Sequence, residues 1–347
     1  VFILPELFLK IMIKMLFLEI KNFFMKRISA LLSFFLLGCG MASAQFTDEI
    51  NSNRPGRSMM AYSIGKKVIQ AEAGLMYKAE NHDKLQYDAN GFIGELQLRY
   101  GVWKEELEIV GDIQYQTDKY TSPFLDENRS GFRQLTLGAK YLIYDPFKNY
   151  VEKENIYSWK ANHKFKWRQF IPAVAVYAGA NFAVGDTPFN YAPSYIKEPS
   201  ISPKITAIAQ NHFGRHWVLV TNITYDKFTS DFKSLNYILT LTRGFNDKWS
   251  GFIENQGYSG DYYSDGIFRI GAAYLFHKDM QLDASIGKNI KSTPSLFYGG
   301  IGFSWRFAEK HEDVKLEEDN GSKMDKKMKK KADKEKKKRK DAVQIED

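Results

Sequence analysis

Residues 296–307 read LFYGGIGFSWRF, and this stretch decides the fold. Counted by twos, Phe297, Ile301, Phe303, Trp305 and Phe307 fall on one face, and Tyr298, Gly300, Gly302, Ser304 and Arg306 on the other. That is the alternation of a β-strand with two unlike faces. The apolar face carries rings up to its last position, Phe307. Beyond it, residues 308–347 contain no aromatic, and residues 323–340 hold twelve Lys or Arg against three Asp or Glu. A block of that composition cannot bury enough apolar surface to offset its ordering entropy.

A final strand ending in an aromatic resembles the insertion signal of bacterial outer-membrane barrels, with Phe303, Trp305 and Phe307 as the residues the barrel-assembly machinery would read. The other end of the chain points to the same compartment. Met25, Lys26 and Arg27 precede an apolar run over residues 28–37, and Ala42-Ser43-Ala44 precedes Gln45, the layout of a secretory signal cleaved after Ala44. Residues 1–24 read as upstream sequence outside the mature protein. As a membrane helix they are interrupted by Glu6, Lys10, Lys14, Glu19 and Lys21, so no window supplies the ~20 apolar residues a span requires. Cys39, the single cysteine, lies within the signal, where Leu36-Leu37-Gly38-Cys39 also approximates a lipoprotein box. Cleavage after Ala44 leaves no thiol for disulfides, thiolate catalysis or metal binding. It also lowers the formal charge from +8 to +5.

Aromatic residues make up 15% of the chain and recur in short alternating segments. The mean hydropathy of −0.41 excludes a bundle of membrane helices but not a barrel, whose lumen and loops are polar. Alternation predicts twelve strands, over residues 67–78, 92–100, 106–116, 132–142, 170–184, 201–212, 217–228, 235–244, 249–258, 267–276, 280–288 and 296–307. Short connections on the side of the termini and long polar ones opposite, over 79–91, 117–131 and 185–200, match periplasmic turns and extracellular loops. Residues 144–166 break that rule as a long, charged and aromatic connection on the periplasmic side. A soluble sandwich or lipocalin-like barrel alternates too. Here the face opposite the apolar one carries too many charges to form a closed core, so the apolar face must be the outer one.

The expected fold is therefore all-β, a transmembrane antiparallel up-and-down barrel of about twelve strands over residues 64–307. An N-terminal segment, 45–63, precedes it, and a disordered or helical basic tail, 308–347, follows in the periplasm. Lumen-facing positions are Glu72, Glu95, Arg99, Glu106, Glu108, Asp112, Lys140, Lys204, Glu254, Arg269 and Asp283. Charges of both signs can pair and brace the wall, or can line a polar path. Glu106, Glu108 and Asp112 share one face, which favours cations if neighbouring strands leave them unpaired.

Catalysis finds little support. The histidines lie in loops, turns, strand ends or the tail, and no Gly-x-Ser-x-Gly, Walker or dinucleotide motif occurs. His212 and His216 have a spacing that joins two metal ligands on a helix, whereas Gly214 marks a turn. Neither a cofactor nor a metal is expected. The tail suits anionic envelope polymers or lipid headgroups, and nucleic acid is not an expected partner.

After the signal comes Asn53-Arg54-Pro55-Gly56-Arg57-Ser58, then Ile64-Gly65-Lys66, then Gln70-Ala71-Glu72-Ala73-Gly74 and Tyr77. This resembles the opening motif of the outer-membrane transporter family named for the MetA pathway of phenol degradation, in which Arg-Pro-x-x-Ser precedes a Gly-x-x-Gln-x-Glu-x-Gly strand. Arg54, Pro55, Ser58, Gln70, Glu72 and Gly74 carry the match. Asn53 stands where the family has Asp, and the spacing from Gly65 to Gln70 is slightly long. Residues 170–173 and 184–186 also resemble that family's fifth strand. The resemblance implies a channel or transporter in outer-membrane lipid for an unknown small-molecule substrate, with hydrophobic or aromatic compounds suggested by the family label. Two roles suit the segment before the first strand. It enters the lumen as a plug, with Arg54 reaching Glu72 or Glu95, or Arg-Pro simply fixes an extended approach to the barrel. The alternative to transport is a barrel that anchors or assembles the envelope through its tail.

Overall fold

The computed structural model describes residues 50–148, 167–184, 189, 191, 196–214 and 216–308. The expected signal over 25–44, the tail over 309–347 and most of the 144–166 connection lie outside them. Twelve strands follow in chain order: β1 (Ile69–His82), β2 (Tyr87–Gly101), β3 (Leu107–Thr121), β4 (Asp126–Tyr144), β5 (Ala173–Phe182), β6 (Ile201–Phe213), β7 (Trp217–Asp226), β8 (Ser234–Gly244), β9 (Trp249–Gly260), β10 (Ser264–His277), β11 (Met280–Asn289) and β12 (Ser295–Phe307). Each pairs antiparallel with its neighbours, and β1 closes the barrel on β12 in a register running from Ile69↔Phe307 to Asn81↔Ser295. Closure gives every strand a partner on both sides, as a β-structure in lipid requires.

The period-2 pattern becomes an inside and an outside. Ile69, Leu75, Ile301, Trp305 and Phe307 are 38–64% exposed on the outer face, whereas Gln70, Glu72, Ser304 and Arg306 are at most 4% exposed. A soluble barrel would reverse this. Trp305 and Phe307 pack at 4.1 Å between ring centroids, and Phe276 stacks on Phe303 at 6.2 Å. Phe303, Trp305 and Phe307 thus belong to the outer aromatic surface.

Two hairpins differ from their sequence-based boundaries. Residues 79–91 and 117–131 were expected as long loops. Instead β1 and β2 run on to a turn at residues 83–86, and β3 and β4 meet at 122–125. β1 has 14 residues and β4 has 19, against the ~9–11 that cross a bilayer, so these strands project beyond it. There both faces are polar, with Asn81 bonded to Asp88 at 2.7 Å and Arg129 to Asp118 at 2.8 Å. Apolar alternation ends at the lipid boundary while the hydrogen-bonded ladder continues.

The fifth strand starts later than residue 170, because Trp167–Phe170 forms a single 3-10 turn. At the end of the barrel that holds the termini, Gly65 turns the incoming chain into β1 with φ 94°, a left-handed conformation that glycine adopts without steric cost. Lys67 N–H then donates to Gly101 O and Gly101 N–H to Val68 O, both at 3.0 Å, joining the lead-in to the start of the ladder.

Candidate functional site: a segment inside the lumen

The family-motif residues converge inside the barrel. The chain enters at the end that holds the termini, where Ile50 N–H donates to Lys278 O at 2.8 Å in the β10–β11 turn. It rises along β1 and β12. Ser52 Oγ lies 3.0 Å from Glu72 Oε2 and 2.8 Å from Ser304 Oγ, and the backbone N–H groups of Asn53 and Arg54 both donate to Glu72. The Arg54 side chain then lies across the inner face of β1 and β12, between β2 and β11. Nε and Nη2 bond the Asp283 carboxylate at 3.2 and 3.1 Å, and Nη1 bonds Glu95 at 3.2 Å.

Gly74 and Gly302, register partners on β1 and β12, form the floor beneath this guanidinium. A Cβ on either glycine would collide with it. The motif's glycine and its arginine are therefore two halves of one contact. Gly74 lies five residues from the strand start at Ile69, roughly halfway along the ~9–11 residues that span a bilayer.

The apex follows the cis Arg54–Pro55 peptide. Arg57 N–H donates to Glu254 at 2.8 Å, and Arg57 Nη2 bonds Glu95 at 2.6 Å. Asn53 closes the loop, donating to Gln97 at 2.7 Å and accepting from Met60 N–H at 2.9 Å. A carboxylate there could accept but not donate, so the departure from the family's Asp has a defined use here. Ser58 is buried beside the apex.

The chain then descends the opposite wall. Met59 N–H donates to Asn222 Oδ1 at 2.6 Å, Ala61 N–H to Gln210 Oε1 at 2.9 Å and Ile64 N–H to Glu108 at 2.9 Å. Ala61 packs in an inward apolar patch with Val110, Leu142, Ala173, Ala175, Tyr177 and Ile208, flanked by Met59 and Tyr62. The rising limb and apex are thus held by polar contacts, while the descending limb is also held by apolar packing. Burial, and then the Asp145 carboxylate that accepts from its hydroxyl at 3.3 Å, raises the Tyr62 phenol pKa above its ordinary value.

All eleven charged positions face inward, but they divide by depth. Glu72, Glu95, Asp112, Lys204 and Arg269 line an open cavity of about 450 Å3 above the apex. Below it, Arg99, Glu108 and Lys140 are at most 1% exposed and form a closed network: Arg99 bonds Glu108 at 3.0 Å and Glu72 at 3.3 Å, and Lys140 bonds Glu108 at 2.8 Å. Lys140 Nζ also donates to Met60 O and Tyr62 O, at 2.7 and 2.9 Å, tying the descending limb to the wall. Glu106 pairs with Lys148 at 3.3 Å, Glu254 with Arg269 at 2.9 Å and Asp283 with Arg54. Gln70 donates to Glu72 at 2.8 Å and to Asn51 O at 3.1 Å, holding the rising limb. The shared face of Glu106, Glu108 and Asp112 is accordingly not an acidic path. Two of the three are neutralised within the wall.

Sequence reasoning missed Ser52, Asn222, Gln210 and Gly302. Neutral amides, hydroxyls and glycines that grip a backbone leave no charge signal in the sequence. Among the described residues no group of three or more His, Cys, Asp or Glu side chains could hold a metal ion.

A closed twelve-stranded barrel, apolar outside and charged within, defines the class of outer-membrane β-barrels. The profile of the family described as "Putative MetA-pathway of phenol degradation" matches residues 52–307, and the chain belongs to that family. The match begins at Ser52, within the lumen segment, and ends at Phe307. No curated protein matches the sequence. Among solved structures, the COG4313 outer membrane channel from Pseudomonas putida F1 is similar at 14% identity and a TM-score of 0.49, over 75% of this chain and 100% of that one. The CymD monoaromatic hydrocarbon channel is similar at 11% identity and a TM-score of 0.38, over 70% and 89%. The KdgM porin is similar at 9% identity and 0.38, over 67% and 99%. Likenesses this distant carry no weight for substrate or mechanism.

Proposed function

We propose that the protein is a gated outer-membrane channel for small molecules, hydrophobic or aromatic compounds among them, and that residues 50–58 are its gate. The observation that carries this reading is the asymmetry of the lumen. One half is occupied by the segment and the other is left as a cavity that reaches down to the apex. A barrel serving only as a scaffold has no need of that cavity. The rising limb and apex are attached by hydrogen bonds and ion pairs that water can replace, while the descending limb is packed against apolar side chains and stays as the hinge. The aromatic part of the substrate reading rests on the family description.

The remaining parts of the chain fit this reading. Residues 25–44 export the protein, Phe303, Trp305 and Phe307 engage the barrel-assembly machinery, and the Lys-rich tail over 308–347 meets anionic polymers of the envelope. We assign no catalytic role. The closure of the lumen also favours a second reading, in which the barrel does not transport and anchors the envelope through that tail. Conductance in planar bilayers separates the two. The chain from residue 45 to 307 is expected to be silent, and the same chain without residues 45–63 to show steps. Silence of both, with folding confirmed by heat-modified mobility, rejects the channel.

A substitution in the floor tests the gate more locally. Gly302→Ala places a methyl group where the Arg54 guanidinium lies. The far end of an arginine can swing aside, so the barrel should fold as before, but Arg54 then loses its bonds to Asp283 and Glu95. The expected result is intermittent conductance from a barrel that still folds, as shown by heat-modified mobility. Uninterrupted silence would show that this contact does not hold the gate.

A further inference from the structure

We propose that the outer wall from β10 through β12 to β1 is a seat for lipid A, the phosphorylated, multiply acylated glycolipid of the outer leaflet. The inference concerns the lipid-facing surface and is independent of what the lumen conducts.

The outer face is not uniform. Where β10, β11 and β12 run side by side, the outward positions Ala272, Ala284 and Gly299 are short, while their neighbours in the ladder, Ile270, Ile286 and Tyr77, are long. The result is an open apolar groove of about 550 Å3 that reaches from β10 to Phe92 on β2. Tyr77 and Phe92 close its far side, edge to face at 5.5 Å between ring centroids. Five strands at a spacing of ~4.8 Å make the groove about 19 Å wide, which suits several acyl chains side by side. The packing of the wall does not call for the glycine at its centre. A Cβ at Gly299 would meet only the Phe297 ring, at 3.6 Å, whereas Gly74 and Gly302 on the inner face make room for Arg54.

Charge sets the class of lipid. Lys288 holds the outward position next above Ile286 on β11, and its register partners on either side are Phe268 and Phe297. On β10, β11 and β12 it is the one outward Lys, Arg, Asp or Glu, and it is exposed, with no ion pair among the described residues. It is the ninth residue of β11 counted from Met280, near the limit of the ~9–11 that cross a bilayer, and it lies towards the end of the barrel opposite the termini. In a barrel with periplasmic termini that is the headgroup level of the outer leaflet. A lysine facing mid-bilayer hydrocarbon is costly, whereas one at this level costs little and attracts phosphate. The groove below takes acyl chains and the lysine above takes a phosphate, in the order in which the leaflet presents them. A free phosphate would gain nothing from the groove, and a neutral lipid nothing from the lysine.

The test uses the exported protein, extracted from outer membranes and exchanged into a non-ionic detergent that strips bound lipid. Diphosphoryl lipid A, phosphatidylglycerol and phosphatidylethanolamine are added in turn, and bound lipid is counted by native mass spectrometry. Lipid A is expected to saturate at one per barrel and to bind at least about tenfold more tightly than either phospholipid. Lys288→Gln should weaken lipid A by roughly fivefold, the share of one lysine at a charged headgroup layer. Gly299→Val fills the groove and leaves the charge in place, and it should weaken lipid A by a similar factor. Arg243→Gln is the control. That outward cation lies over the Trp217 and Phe245 rings at 5.1 and 5.7 Å, at the end of β8 near the termini, and its loss should leave lipid A binding unchanged. Heat-modified mobility establishes that each variant is folded. Phosphatidylglycerol bound as tightly as lipid A, adducts that rise without saturation, or lipid A binding that either Lys288→Gln or Gly299→Val leaves unmoved would each overturn the proposal. An equal loss in Arg243→Gln would also overturn it, by reducing the effect to charge at any lipid boundary. The readout is bound lipid, so it stands whether or not the barrel conducts.

Discussion

Replacing Arg54 and Arg57 together by alanine is expected to turn a silent barrel into a conducting one. Among the described residues, the two guanidinium groups supply all the ion pairs between the apex and the wall: Arg54 to Asp283 and Glu95, and Arg57 to Glu95. Hydrogen bonds to charged groups contribute about 1.5–3 kcal/mol each. Losing the contacts of two side chains therefore shifts the ratio of closed to open forms by roughly a hundredfold or more, at about 1.4 kcal/mol per factor of ten. The backbone bonds from Asn53 and Arg54 to Glu72 and from Arg57 to Glu254 survive, so closure should persist for part of the time and conductance should flicker. Selectivity should also change in a defined direction. Glu95 and Asp283 lose their counter-charges at mid-lumen, so reversal potentials in a salt gradient should shift towards cations. Arg54→Lys with Arg57→Lys should fall between wild type and the alanine pair, since an ammonium cannot bond Asp283 through two nitrogens while reaching Glu95. A folded alanine pair that stays silent would mean that the segment is a fixed part of the wall.

The fold was legible in the sequence because lipid imposes a simple rule on it. Outward positions must be apolar at every second residue, and residues 296–307 obey that rule to the end. The rule stops at the edge of the bilayer, which is why the β1–β2 and β3–β4 hairpins were read as loops. The candidate site was legible by halves. Arg54, Glu72 and Gly74 stood out as a motif, and Arg54 with Glu95 was open to inference from charge. That Gly74 and Gly302 form one floor is a fact of register between the first and last strands, and nothing local to either sequence carries it. The inward apolar patch at Ala173, Ala175 and Tyr177 was hidden for a related reason. On β5 both faces are apolar, because the inner one packs against Ala61 of the segment, so alternation cannot tell inside from outside.

The largest effect on stability is expected at Glu108. Its carboxylate is fully buried and accepts from Arg99 at 3.0 Å, from Lys140 at 2.8 Å and from Ile64 N–H at 2.9 Å. Glu108→Leu leaves two buried cations facing an apolar side chain. Breaking a buried ion pair from one side costs about 3–5 kcal/mol, most of it the penalty of the charge left behind. Arg99 keeps Glu72, and Lys140 keeps two carbonyls of the descending limb, which places the expected loss towards the lower end of that range. The measurement is the urea midpoint of the folded barrel in vesicles, followed by tryptophan fluorescence and heat-modified mobility. If the loss comes from the stranded charge, removing that charge should restore stability: Glu108→Leu with Lys140→Met should recover much of the midpoint, although it deletes another wild-type contact. A double variant less stable than Glu108→Leu alone would assign the loss to the hold on the descending limb instead. That outcome would make Lys140 the residue that fixes the hinge, because its ammonium is the group that bonds both Met60 O and Tyr62 O.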